Sequence, residues 1–132
     1  MHTHYEGILA HFKVKIHGKY YCQFFIWDTG ENMHKSVETS SDTSIGHCHA
    51  VSWVENYKNG EYRSGKKFAE IHLLKVPIGS GLVAHEIMHC VGYFIRFRDW
   101  NMRLKEVDER VATIAENLTK NFWINYFKIF KD

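Results

Sequence analysis

The stretch Leu82–Phe94, LVAHEIMHCVGYF, sets two histidines four positions apart, with a glutamate directly after the first. Apolar residues such as Ile87 and Phe94 recur in it at helical spacing, which predicts an amphipathic helix. Residues four apart on a helix lie one above the other on the same face. His85 and His89 are therefore expected to project together, away from the apolar face.

The sequence before this helix predicts about four strands and a long loop. Gly18 supplies a tight turn for a hairpin between the first two strands, and the polar run Asp28–Ser44 is expected to be a loop or lid. Pro77 and Gly79 end the last strand, and Ser80 is a suitable N-cap for the helix. The four predicted strands are LAHFKVKI (9–16), YYCQFFIW (20–27), HCHAVSWVENY (47–57) and FAEIHLLKV (68–76).

The sequence after the first helix predicts one or two more helices. The helical pattern breaks at Arg98–Asn101, and a regular apolar stripe then runs from Leu104 to Leu118. The apolar stretch Asn121–Asp132 is expected to pack back on the body of the protein. Strands followed by helices predict an α+β fold, with a small antiparallel or mixed sheet before the two helices. The whole chain, residues 1–132, has the size of a single domain.

Composition limits the classes of partner. Lys and Arg number 17 against 15 Asp and Glu, a net charge of +2, which gives no clear signal for nucleic acid or an anionic membrane. No apolar run approaches the roughly 18 residues of a membrane span. The three cysteines are odd in number and lack a CxxC pair, which favours a reducing compartment. We expect a cytoplasmic protein, located in the host cytoplasm if a phage or mobile element encodes it.

The spacing of His85 and His89 suits a metal ion. Both ring nitrogens can reach one zinc ion at about 2.0–2.1 Å. Glu86 lies about 100° around the helix from His85, beside the metal, where its carboxylate can deprotonate a zinc-activated water as general base. This pattern is the HExxH signature of zinc peptidases. The alternative is a surface histidine pair on an ordinary amphipathic helix.

A catalytic zinc needs a third protein ligand. The longer motif HExxHxxGxxH requires a histidine at position 95, where this chain has Ile95. If the two helices form an antiparallel hairpin that turns near Asp99, Glu109 lies opposite His89. Glu109 points away from the apolar stripe of its own helix, so that stripe would have to pack against something other than the helix of the histidines. Asp108, which lies nearer the stripe, is the alternative ligand.

The motif HEIMH, followed some twenty residues later by DERVATIA, resembles the minimal gluzincin peptidases. These include the ImmA/IrrE-type peptidases and the zincin domains of antirestriction proteins. The resemblance covers about residues 70–120 and implies a zincin-like fold, a Zn²⁺ cofactor and Glu109 of Glu-x-x-Ala as third ligand. It also implies that Phe68–Lys75 is an edge strand that binds substrate. The chain departs from the pattern at Thr113, where related peptidases often carry Asp or Asn.

These features lead to a zinc metalloendopeptidase that acts on a protein or peptide substrate. Retention of Glu86 favours this function, because a purely structural zinc site has no need of a general base. The alternative is a zincin-fold binding module, of the antirestriction or inhibitor kind, that holds zinc without cleaving. A small interaction domain without metal is the third class. The sequence leaves the oligomeric state open.

Overall fold

A computed structural model describes residues 6–37, 45–50, 57–58, 61–62 and 66–131 of the chain. The elements along it are β1 (Ile8–His17), β2 (Tyr20–Trp27), α1 (Gly30–Ser36), β3 (Gly46–Ala50), β4 (Tyr57–Lys58), β5 (Glu61–Tyr62), β6 (Lys67–Leu74), α2 (Ser80–Arg98) and α3 (Lys105–Ile129).

Four of these strands form one mixed sheet in the order β1-β2-β6-β3. β1 and β2 are antiparallel, β2 and β6 are parallel, and β6 and β3 are antiparallel. The short strands β4 and β5 pair only with each other among the described strands. The predicted α+β arrangement, a sheet of about four strands followed by helices, is therefore confirmed.

The hairpin between β1 and β2 turns where the sequence predicts. Gly18 has a φ of +58°, a left-handed conformation that glycine adopts without the strain a Cβ would cause. The alternation of side chains along β2 then assigns its two faces. Cys22, Phe24 and Ile26 point to the main core, whereas Phe25 and Trp27 belong to a second cluster on the opposite face.

Helices α2 and α3 cover the face of the sheet that carries the main core. α2 packs on β3 and β6, and α3 packs on α2 and β1. α2 ends at Asp99, whose φ of 53° is left-handed. The end of α3 returns to the start of α2, because the Lys75 ammonium lies 5.1 Å from the ring centre of Phe130. The two helices are therefore antiparallel neighbours.

The described part of the Asp28–Ser44 loop is helical. Residues Gly30–Ser36 form α1, and the Thr29 hydroxyl accepts a hydrogen bond from the Asn32 backbone N–H at 3.2 Å. Met33 of α1 is fully buried against the second cluster. The loop prediction was wrong here because it overlooked this N-cap. Residues 38–44 lie outside the described range.

One further detail of the helices differs from the expectations: the N-cap of α2 is Gly79, and Ser80 is the first helical residue. The apolar stretch that begins at Asn121 continues α3 as far as Ile129, and its Phe122 and Tyr126 are buried in the main core, as expected.

β6 is an interior strand of the sheet, with β2 on one side and β3 on the other. The expectation that Phe68–Lys75 forms an exposed edge was therefore wrong. The cause is that a run buried on both faces reads the same in sequence whether it lies in the interior or at an edge. Among the described strands, β3 is the outer strand beside α2. Residues 51–56 of the predicted third strand lie outside the described residues.

Candidate metal centre

The imidazole rings of His85 and His89 face each other on α2. Their Nε2 atoms lie 3.2 Å apart, and both side chains are exposed. Two ligands on one tetrahedral zinc, each about 2.05 Å from the metal, are separated by roughly 3.3 Å. The distance between the two nitrogens therefore suits a single zinc ion.

Glu86 lies beside the pair but on the buried side of α2. Its side chain is only 6% exposed, and no other described residue hydrogen-bonds to its carboxylate. Burial raises the pKa of Glu86 above its ordinary value, while the neighbouring His85 and His89 act in the opposite direction. A buried carboxylate that has no hydrogen-bond donor among the described residues is costly, which makes Glu86 a candidate functional group.

Glu86 packs directly against the backbone of β3. A Cβ added at Gly46 would lie 2.9 Å from Oε2 of Glu86 and 3.0 Å from Cδ1 of Leu82. Carbon atoms do not approach side chains so closely without displacing them. Glycine at position 46 therefore permits the position that Glu86 occupies.

These residues line a cleft of about 680 Å³ between α2 and β3, which we call the histidine cleft. Ile45 and Leu82 lie at one end of it. Tyr93 lies at the other end, and its ring stacks on that of His89 with the centres 6.2 Å apart. The cleft thus presents an apolar end and an aromatic end on either side of the histidine pair.

The structure does not bring Glu109 together with the two histidines. Glu109 is exposed and lines a second cleft of about 560 Å³ between the β1–β2 turn and α3, together with Lys15 and His17. Burial of Val107 and Val111 fixes the rotation of α3, which turns Glu109 away from α2. Among the described residues, no group of three or more His, Cys, Asp and Glu side chains is arranged to hold a metal ion. The alternative ligand Asp108 is also exposed and lines neither of these two clefts.

His72 of β6 lies on the face of the sheet that carries the second cluster. His72 is 3% exposed, accepts a hydrogen bond from Trp27 Nε1 at 2.9 Å and donates through Nε2 to Glu70 at 3.0 Å. Its ring stacks on Phe25 with the centres 4.6 Å apart. His47 is the cross-strand neighbour of His72. The described contacts of His72 are those of a satisfied core residue.

The sequence identified the histidine pair and Glu86 but missed two other features of the site. One is Gly46, whose role depends on a contact across 40 positions of sequence that no local pattern reveals. The other is β3 as the strand that borders the cleft. A stretch that begins with glycine and alternates as GHCHA carries a strand signal, but the order of strands in the sheet has no sequence signature.

Comparison with protein-family models, with curated proteins and with solved structures yields no match to this chain. Within the part of the chain that the structure describes, no helix combines the length and the apolar character that crossing a membrane requires.

Proposed function

We propose that this chain is a zinc-dependent peptidase in which His85 and His89 hold the metal and Glu86 is the general base. The observation that supports the proposal is a buried carboxylate that has no hydrogen-bond donor among the described residues, beside two exposed imidazoles at the spacing of zinc ligands. Zinc, when bound, supplies a Lewis acid that polarises a carbonyl and makes a water easier to deprotonate. Glu86 accepts the proton of that water at its carboxylate and delivers it to the leaving amine.

Gly46 and β3 support this role because they hold the carboxylate close to the histidine pair. The low exposure of Glu86 keeps bulk water from its carboxylate, and a raised pKa brings the group closer to the range in which it both accepts and returns a proton. An exposed carboxylate on the same helix face would lack both properties.

The third protein ligand is part of the proposal. Glu109 is the candidate from the sequence, and the sequence also carries Glu38, Asp42 and Glu55 in ranges that flank β3 and lie outside the described residues. Elemental analysis of the four alanine variants would identify the carboxylate whose removal lowers the zinc content.

The experiment combines metal analysis with a search for cleavage. We expect about one zinc per purified chain, lost on chelation, and new peptide termini by mass spectrometry when the protein is incubated with cell lysate. Glu86→Gln should abolish the new termini and retain zinc. Glu31→Gln, which changes an exposed carboxylate on α1, is the matched control and should cleave as the unaltered protein does.

A zincin-fold binding module is the second candidate. The observation that favours it is the absence of a third ligand beside the histidine pair among the described residues. Zinc binding without any cleavage would support this function. Equal cleavage by the unaltered protein and Glu86→Gln would contradict the assignment of the base, and a zinc content near zero would contradict both candidates.

A further inference from the structure

One face of α2 carries a row of side chains that continues beyond the histidines. At 3.6 residues per turn, Tyr93 and Arg96 lie within about 80° of the direction of His85. Along the axis, at about 1.5 Å per residue, Tyr93 lies about 6 Å beyond His89 and Arg96 about 10.5 Å beyond it. The row thus leads from the histidine pair to an arginine.

The guanidinium of Arg96 lies next to Tyr93, the residue at the aromatic end of the histidine cleft. It lies 5.3 Å from the ring centre of Tyr93, close enough for a cation–π contact. The side chain is exposed, and no carboxylate of the described residues forms an ion pair with it. This end of the cleft therefore offers a positioned cation to a ligand.

The opposite end of the cleft has a different character. Ile45 is 40% exposed there, Leu82 is half-buried, and Gly81 adds no side chain. Among the described residues that line the cleft, Glu86 is the one carboxylate, and it is buried. A ligand that fills the whole cleft meets apolar surface at one end and a positive charge at the other.

We propose that the histidine cleft binds an extended peptide that places a carboxylate at Arg96 and an apolar side chain between Ile45 and Leu82. An extended chain advances about 3.3 Å per residue, so the carboxylate belongs about three residues from the peptide group at the histidine pair. The carboxylate comes from an acidic side chain or from the C-terminus of the peptide. This inference rests on the proposed function for the identity of the bound peptide group.

Binding of synthetic peptides tests the inference separately from cleavage. Fluorescein-labelled peptides with a central Leu and, three residues later, either Glu or Gln would be titrated with the Glu86→Gln protein and followed by anisotropy. C-terminal amides isolate the side-chain carboxylate, and a Gln peptide with a free C-terminus isolates the terminal one. We expect the carboxylate to tighten binding about two- to fivefold, as for an exposed ion pair.

Variants of two neighbouring arginines assign that preference. Arg96→Ala should remove it, and Arg96→Glu should transfer it to a peptide with Lys at the same position. Arg98→Ala is the matched control, because Arg98 is also exposed but its guanidinium lies over Trp100, 5.9 Å from the ring centre. A carboxylate preference that survives in Arg96→Ala, equal binding of the Glu and Gln peptides, or no binding of either would overturn the inference.

Cleavage by the unaltered protein is measured on the same peptides. Binding that depends on Arg96 without cleavage would support the inference and contradict the peptidase function. Cleavage at the same rate with and without the carboxylate would support the peptidase function and contradict the inference.

Discussion

Glu86 packs against Gly46, where β3 meets the helix that carries the histidines. The Glu86 carboxylate lies 2.9 Å from the point where any other residue at position 46 would place its Cβ. Because the carboxylate has no hydrogen-bond donor among the described residues to hold it, this steric contact limits where it can lie. Glu86, the proposed base, can take this position because Gly46 has no Cβ.

Gly46→Ala should lower the free energy of unfolding by about 1–3 kcal/mol, the usual cost of an overpacked site. The cost should be smaller in a Glu86→Ala background, where the contact at 2.9 Å is gone but the contact with Leu82 at 3.0 Å remains. A double-mutant cycle by urea denaturation measures this coupling.

Gly81→Ala is the matched control for Gly46→Ala. A Cβ at Gly81 meets no atom within 4 Å, and the position lies in the first turn of α2. It should not destabilise the protein, since alanine favours a helix over glycine. Equal costs of Gly46→Ala in both backgrounds would show that Glu86 does not occupy the position described.

At the scale of elements, the sequence pattern predicted the two helices but not the rotation of α3. The 3-4 spacing of apolar residues predicted α2 and α3, and the break at Arg98–Asn101 predicted their antiparallel hairpin. The rotation of α3 was harder to predict, because the mirrored numbering that places Glu109 opposite His89 ignores which face the helix buries. Burial of the stripe Val107–Leu118 determines that rotation. The stripe is visible in the sequence, and Glu109 lies on the opposite face of the helix from it. That placement already argues against Glu109 facing the histidines once the stripe is buried.

Two further differences between prediction and structure, at α1 and at β6, have separate causes. Thr29 caps α1, but α1 is short and polar, so the sequence resembled a loop. The interior position of β6 depends on which strand pairs with which, a property of the whole sheet that is not encoded in any one segment. Periodicity therefore predicted the main strands and helices, whereas the interior position of β6 and the rotation of α3 depend on the tertiary fold.

The rotation of α3 leads to a test of the third ligand. In the arrangement described, Glu109→Ala should leave zinc affinity unchanged, because Glu109 lies with Lys15 and His17 in the other cleft. His85→Ala should remove most of the affinity. Competition with a chromophoric chelator measures both. A large loss with Glu109→Ala would instead support the sequence-based assignment and require α3 to move when the metal binds.

At the scale of the whole molecule, stability should decrease in acid because of the opposite face of the sheet. Burial lowers the pKa of His72 below its ordinary value of 6.5, an effect that its hydrogen bond to Glu70 only partly offsets. Burial alone would raise the pKa of Glu70, but hydrogen bonds from His72 and Lys67 lower it to about 2. Both groups bind protons more readily in the unfolded chain, so both destabilise the fold as pH falls.

The free energy of unfolding should therefore begin to fall below about pH 6.5, where His72 binds a proton in the unfolded chain but stays neutral in the folded protein. A further decrease should follow between pH 4.5 and about 2, the range between the ordinary and the folded pKa of Glu70. Urea denaturation at a series of pH values measures both steps. His72→Gln should flatten the first step without removing it, because the pKa of His17 is also lowered by burial and by Arg98. A constant free energy of unfolding between pH 7 and 5 would contradict this account.

The position of β6 between β2 and β3 also affects how the chain is made. β2 can pair with β1 as soon as the hairpin leaves the ribosome. The other edge of β2 stays unpaired until β6, which begins about 40 positions later, has been synthesised. At about 5–20 residues per second, that edge stays open for roughly 2–8 seconds. β2 is buried along nearly its whole length in the finished fold, so an apolar edge is exposed throughout this interval. The nascent chain is therefore most prone to aggregate before residue 67 has been translated, and a chaperone that binds apolar strands would act in that window.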